Sequence, residues 1–251
     1  KENQYSQGRK PSVISFPYTS GDYIALCEGD DFWINPEKLK AQYEAAKNSR
    51  VSLLVAPGLH LKDGKILNNL FNSHGPKLKK IEVQEILDVP GQFAPTATYF
   101  MKREVLETLP EWFDKAPYGD LFIELWAFTV GEVRYQPIPV SVYRVNADGS
   151  WTRSQKSNPI AKIDRMAAQA EECFLKLMKL DDFTKIDIST KKSSWEFGKA
   201  LVYLEKKKYS CFRASVIKSV HLKRFLSNGQ LFSYYLRFFP ALVRLAFLKS
   251  R

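Results

Sequence analysis

The sequence predicts an α/β layered fold over roughly the first 150 residues, followed by a helical, basic C-terminal region. Two observations carry this. Short apolar runs bounded by Gly, Pro and Asn alternate with helix-patterned segments as far as Trp151. Beyond Trp151 the strand-like runs cease, helical patterning takes over, and the charge balance changes sign.

Residues 1–20 read as a polar loop punctuated by Gly8, Pro11 and Pro17. Residues 23–27 (YIALC) are a continuous apolar run of strand length after Gly21, the pattern of a buried strand of the parallel kind. Asn35-Pro36 supplies a helix N-cap followed by proline at the first helical position, with a helix over residues 37–49. VSLLV at 51–55 is a second buried strand, and Asp63-Gly64 centres a hairpin within residues 60–67. A short helix at 83–87, a strand at 96–102 and a helix at 103–109 closed by Pro110 follow. An apolar helix over 120–129 stops at Gly131, and strands occupy 133–135 and 140–144. Asn158-Pro159 opens a long helix, Ser193-x-x-Glu196 reads as a capping box opening another, and Pro240 predicts a kink in the last.

Of the 251 residues, 45% are hydrophobic and 26% charged, enough to bury a core and too apolar for a disordered chain. No internal repeat points to a solenoid or propeller. Residues 1–150 hold 17 basic and 19 acidic side chains, whereas 151–251 hold 21 basic and 8 acidic, so the net charge of +11 originates in the last hundred residues. Such an end faces anionic lipid or phosphorylated ligands, or is a set of solvated lysine-rich helix faces. No nucleic-acid recognition motif accompanies the charge, so nucleic acid is not an expected partner. Cys27, Cys173 and Cys211 lack metal or disulfide spacing, His60, His74 and His221 lack ligand spacing, and no apolar signal region opens the chain. A cytoplasmic location follows as the expectation.

The most informative stretch is GDYIALCEGDDFW, residues 21–33. Glu28, Asp30 and Asp31 crowd the C-terminal end of a hydrophobic strand, where open α/β sheets bind ligands. A divalent cation relieves the repulsion among them, because hard oxygen ligands suit Mg²⁺ or Mn²⁺. The plain alternative is an acidic turn capping the next helix.

From Gly21 to Leu39 the run GDYIALCEGDDFW-x-x-P-x-KL resembles the segment around the DxD motif of family 2 glycosyltransferases, which have the GT-A fold, departing only at Asp22. FAPTATYFMKREVLETLPEWF and YGDLFIELWAFTVGEVRYQPIPVSVYRVNADGSW are similar to the same family's downstream segments at matching spacing. The resemblance spans about residues 2–153 and implies a GT-A-like mixed sheet with flanking helices, a partial catalytic domain over 1–153 and a helical region over 154–251. Family members begin with strands holding the nucleotide base, and Lys1-Glu2-Asn3 matches the segment just after them. The resemblance therefore implies two or three preceding βα units, about 60–90 residues, which this segment lacks. It also implies an inverting, metal-assisted transfer of sugar from a nucleotide-sugar to an acceptor hydroxyl, on a glycan or lipid-linked acceptor, in polysaccharide or glycoconjugate synthesis. A non-catalytic remnant or a basic membrane-surface module is the alternative.

Carried over by position, Glu28-Gly29-Asp30 is the DxD element: Asp30 with Asp31 holds the cation, and Glu28 contacts the donor. Asp120, after Gly119, is the catalytic base that takes the acceptor's proton; as a residue alone it reads equally as a helix N-cap. Arg144 meets phosphate oxygens or forms a structural ion pair. Asn146 stands in the donor-binding segment where the family has histidine, and asparagine hydrogen-bonds but offers no imidazole. Trp33, Trp112, Trp126 and Trp151 read as core residues before sugar-stacking ones. Residues 231–251 are apolar apart from Arg237, Arg244, Arg251, Lys249 and serines, with the arginines seven apart. A helix there either lies on an anionic membrane, placing the protein at its inner face, or packs on the catalytic domain.

Overall fold

Two mixed sheets form the framework of the computed structural model, which describes residues 10–47, 49–145, 147 and 159–249. The first contains β1 (Tyr23–Ala25), β3 (Val51–Val55), β6 (Lys79–Ile81), β7 (Phe100–Lys102) and β8 (Glu132–Tyr135), in the order β1-β7-β3-β8-β6. The second contains β2 (Phe32–Trp33), β4 (Gly58–Lys62), β5 (Lys65–Phe71) and β9 (Ser141–Arg144), in the order β2-β9-β4-β5. The β3–β8 and β4–β9 pairs are parallel and the other pairs antiparallel. Around them lie α1 (Pro11–Ser15), α2 (Lys38–Ala46), α3 (Val83–Asp88), α4 (Arg103–Glu107) and α5 (Gly119–Val130). The chain continues as α6 (Ile160–Leu177), α7 (Ser189–Glu205), α8 (Tyr209–Leu222), α9 (Asn228–Tyr235) and α10 (Pro240–Lys249).

Central β3 is buried at every position, as its unbroken apolar run requires. Leu53 and Val55 enter the main core, whereas Leu54 packs with Ala46 and Phe100 on the opposite side. A register shift between Val51 and Leu53 brings Val51 to the Leu54 side, against the two-residue period. The β4–β5 hairpin turns at Asp63 and Gly64 with φ of 51° and 76°, the left-handed pair that a two-residue loop needs. Gly131 ends α5 in extended backbone, and a Cβ there would lie 2.3 Å from the Arg50 carbonyl oxygen.

Several elements depart from the sequence reading. β1 pairs antiparallel with β7, Tyr23 opposite Lys102 and Ala25 opposite Phe100. Its continuous apolar run reports coverage of both faces, Ile24 in the main core and Tyr23 and Ala25 against a second cluster, which needs no parallel neighbour. Residues 11–18, expected as loop, hold α1 and a turn of 3₁₀-helix, with Pro11 at the first helical position. Asn35 makes an Asx turn, accepting from the Glu37 N–H at 2.9 Å, and α2 starts at Lys38, two residues after Pro36, the expected first helical position. The strand expected at 96–102 is a 3₁₀ turn, Thr96–Thr98, followed by β7; the Thr98 hydroxyl donates to the Pro95 carbonyl at 2.7 Å, closing that turn. Ser193 caps nothing: α7 begins at Ser189, and the buried Ser193 hydroxyl donates to the Ser219 carbonyl across to α8. Pro240 starts a new helix instead of kinking one, so Arg237 and Arg244 lie on different segments and the seven-residue spacing no longer defines one face.

The expected boundary at 153/154 lies outside the described residues. Past it, Ala170, Cys173, Phe174 and Leu177 of α6 enter the same core as Leu53, Met101 and Phe122. A smaller cluster joins Ala200 and Leu204 of α7, Phe212 and Val216 of α8, and Val243 of α10.

Candidate active site

After β1 the chain turns sharply through residues 26–31. The Leu26 N–H donates to the Tyr99 carbonyl and the Asp31 N–H to the Glu28 carbonyl, each at 3.1 Å. Arg144, at the end of β9, clamps this turn from the other sheet. Its backbone N–H donates to Asp31 Oδ1 at 2.9 Å and its Nε to the Asp30 carbonyl at 2.8 Å. Asp31 is buried, and its Oδ2 has no hydrogen-bond partner among the described residues. Burial raises the Asp31 pKa, the Arg144 N–H opposing it. Glu28 is an exposed residue. Partial desolvation, followed by the negative charges of Asp31, Asp120 and Asp30, pushes its pKa up to about 7, with a Thr96 hydrogen bond opposing.

The floor beneath this turn is braced. Lys38 of α2 is buried with its Nζ 4.3 Å from the centre of the Trp33 ring, donating to Gln42 Oε1 at 2.7 Å. Burial drops its pKa to about 8. Gln42 in turn donates to the Thr98 carbonyl and Trp33 Nε1 to the Ala97 carbonyl. These contacts make Lys38 and Trp33 supports of the turn. Trp112 and Trp126 pack partly buried against the main core, edge to face with each other.

Asp120 sits in the first turn of α5, with Tyr118 at the cap position, and its Oδ1 accepts the Leu121 N–H at 2.9 Å. Burial raises its pKa, while the Leu121 N–H and the positive charge of Lys191 pull it down. One helical turn on, Glu124 shares its face. Glu124 is almost fully buried, and its Oε1 accepts the Tyr99 hydroxyl at 2.5 Å and the Ala94 N–H at 3.2 Å. Its Oε2 is buried without a partner among the described residues. Burial, then the charge of Asp120, pushes its pKa up to about 8. Lys191 reaches in from α7, buried, with Nζ donating to the Val89 and Gly91 carbonyls at 2.7 Å each. Burial lowers its pKa to about 8, against the pull of Glu124, Asp120 and Asp88.

The fold thus gathers Glu28, Asp30 and Asp31 within electrostatic reach of one another and brings Asp120, ninety-two positions after Glu28, into the field felt by Glu28. Arg144 joins them as a clamp. Asn146 and Trp151 lie outside the described residues. Among the described residues no group of three or more His, Cys, Asp or Glu side chains converges as a metal cage. Asp31 Oδ2, buried and without a partner among the described residues, is with the neighbouring Asp30 carboxylate the pair of oxygens that could hold a cation whose other ligands are waters and substrate phosphates. Thr96, Tyr99, Glu124 and Lys191 were not marked by the sequence. A single glutamate inside the apolar run LFIELWAF was the one available signal, since a charge there needs partners once buried.

No protein-family model matches this chain, and no curated protein is significantly similar to it.

Proposed function

We propose that this chain carries the acidic centre of an inverting glycosyltransferase of GT-A type, which moves a sugar from a nucleotide-sugar donor to the hydroxyl of a glycan or lipid-linked acceptor. The observation that carries the reading is that Glu28, in the turn after β1, lies within the electrostatic field of Asp120, on the first turn of α5.

In this reading Asp30 and Asp31 hold Mg²⁺ or Mn²⁺, which when bound neutralises charge on the donor's diphosphate. Glu28, exposed in the turn, contacts the donor. Arg144, exposed and anchored through Nε to the Asp30 carbonyl, presents its guanidinium to phosphate oxygens, with Asn146 two positions further along the sequence. Asp120 accepts the acceptor's proton. The acceptor oxygen bonds to the anomeric carbon as the bond from that carbon to the diphosphate oxygen breaks, and the nucleoside diphosphate departs with the electron pair. A raised pKa makes Asp120 a stronger base than a free carboxylate, while the Leu121 N–H and Lys191 favour its ionised form.

Calorimetric titration of the full-length protein with nucleoside diphosphates, with and without Mn²⁺, tests the binding half. Binding that requires the cation and disappears in Asp30→Ala supports it; equal binding under chelation removes the metal role. Asp120→Asn should abolish turnover while donor binding persists, and unchanged turnover would remove the base assignment.

A further inference from the structure

We propose that the outer face of α9 and α10 docks on an anionic phospholipid bilayer, lying along the headgroup plane. The charge pattern of the sequence prepares such a face. From residue 206 to the end the chain has eleven Lys or Arg and no Asp or Glu. Within that stretch Phe232, Tyr235, Phe238, Phe239, Leu242 and Leu245 are exposed, the last five by more than half. Single exposed apolar residues are ordinary; six large ones within fourteen positions are not.

The patch is not a frayed core. On the inner side Val243 is fully buried with Ala200, Leu204, Phe212 and Val216, and Tyr234, Leu236 and Phe247 pack against them, so α9 and α10 are seated on α7 and α8. The inner side thus answers to the packed-helix reading and leaves the outer side open. The break between the helices places Phe238 and Phe239 at a corner between α9 and Pro240. The guanidiniums of Arg213 and Arg237 flank Phe238, 5.8 and 4.8 Å from the ring centre. Apolar bodies with cationic heads at the same level suit the headgroup boundary, where rings enter the acyl edge and arginines meet phosphate.

Short helices of eight and ten residues lie on a bilayer and do not cross it, and no helix among the described residues is long and apolar enough to span one. Charge selects the occupant. Lys218 and Lys223 pair with Glu196 and Asp187, but a second copy of the chain would still bring Arg213 and Arg237 against their own kind beside Phe238, whereas anionic lipid neutralises them. This inference stands on the surface alone and is independent of the transferase reading, since vesicle binding is measured without donor or acceptor.

The test is co-sedimentation of the full-length protein with vesicles of phosphatidylcholine alone and with about 30 mol% phosphatidylglycerol. Binding at least tenfold tighter to the anionic vesicles is expected, weakening in high salt. The Phe238→Ser/Phe239→Ser pair should lose it at least tenfold with an unchanged melting temperature, because both rings face outward. Should that variant destabilise the fold, Leu242→Ser alone provides the same reading with a smaller loss. Equal binding to neutral and anionic vesicles, or undiminished binding in these variants, overturns the proposal. So does sedimentation velocity showing a dimer that the same substitutions dissolve, or preferential binding of nucleic acid over vesicles.

Discussion

The Tyr99 hydroxyl donates to Glu124 Oε1 at 2.5 Å, joining the segment before β7 to the middle of α5 where solvent reaches neither side chain. Tyr99→Phe strips the buried carboxyl of one of its two donors among the described residues and leaves the Ala94 N–H at 3.2 Å. We expect a loss of about 1–3 kcal/mol in stability, read from urea unfolding.

The pH dependence of stability carries a signature of Glu124. Its pKa in the folded chain is about 8, well above its ordinary value of 4.5. Between those values the folded state holds a proton that the unfolded state releases. This contribution is therefore complete below about pH 4.5, declines as pH rises, and levels off above about 8. Glu124→Gln should flatten that decline in melts run from pH 5 to 8, and an unchanged slope would place the titration elsewhere.

Lys191 ties α7 to residues 89–91. Lys191→Met abandons two carbonyls and removes the positive charge opposing Asp120 and Glu124. Destabilisation of about 2–4 kcal/mol is expected by denaturant unfolding. Arginine should not restore it, because the wider guanidinium does not fit a pocket shaped around two carbonyls 2.7 Å from one ammonium.

Arg144→Ala keeps the backbone bond to Asp31 and loses the side-chain bond to the Asp30 carbonyl. The expected outcome is a loss of about 1 kcal/mol in stability, with nucleoside diphosphate binding weakened several-fold by calorimetry. A variant that binds as tightly as the parent would show that the clamp is structural only.

Gly131→Ala would put a methyl group 2.3 Å from the Arg50 carbonyl oxygen, which the adjoining parallel pair β3–β8 holds in place. We expect at least about 2 kcal/mol of destabilisation, visible as a lowered melting temperature.

Local chemistry was legible in the sequence wherever it decided the outcome. VSLLV declared a strand buried on both faces, Asp63-Gly64 declared its hairpin, and Gly131 its helix end. The crowding of Glu28, Asp30 and Asp31 after an apolar run located the turn. Orientation was not legible: a strand covered on both faces by helices looks the same whether its neighbour runs parallel or antiparallel, and β1 runs antiparallel. Ser193 carried the letters of a cap, but tertiary packing placed it inside α7 against Ser219. Lys191 was one lysine among many in a basic tail, and only the fold shows that it points into the protein near Asp120.

That lysine also bears on how far the chain can be shortened. With α6 lending Phe174 and Leu177 to the main core and α7 holding the 89–91 bend, trimming the protein to its strand-rich part would open a hydrophobic wall and unfasten the acidic pair of α5. The helices after residue 159 are thus the buttress of the carboxylate centre, and a minimal fragment ending before them should come out insoluble or loosely folded.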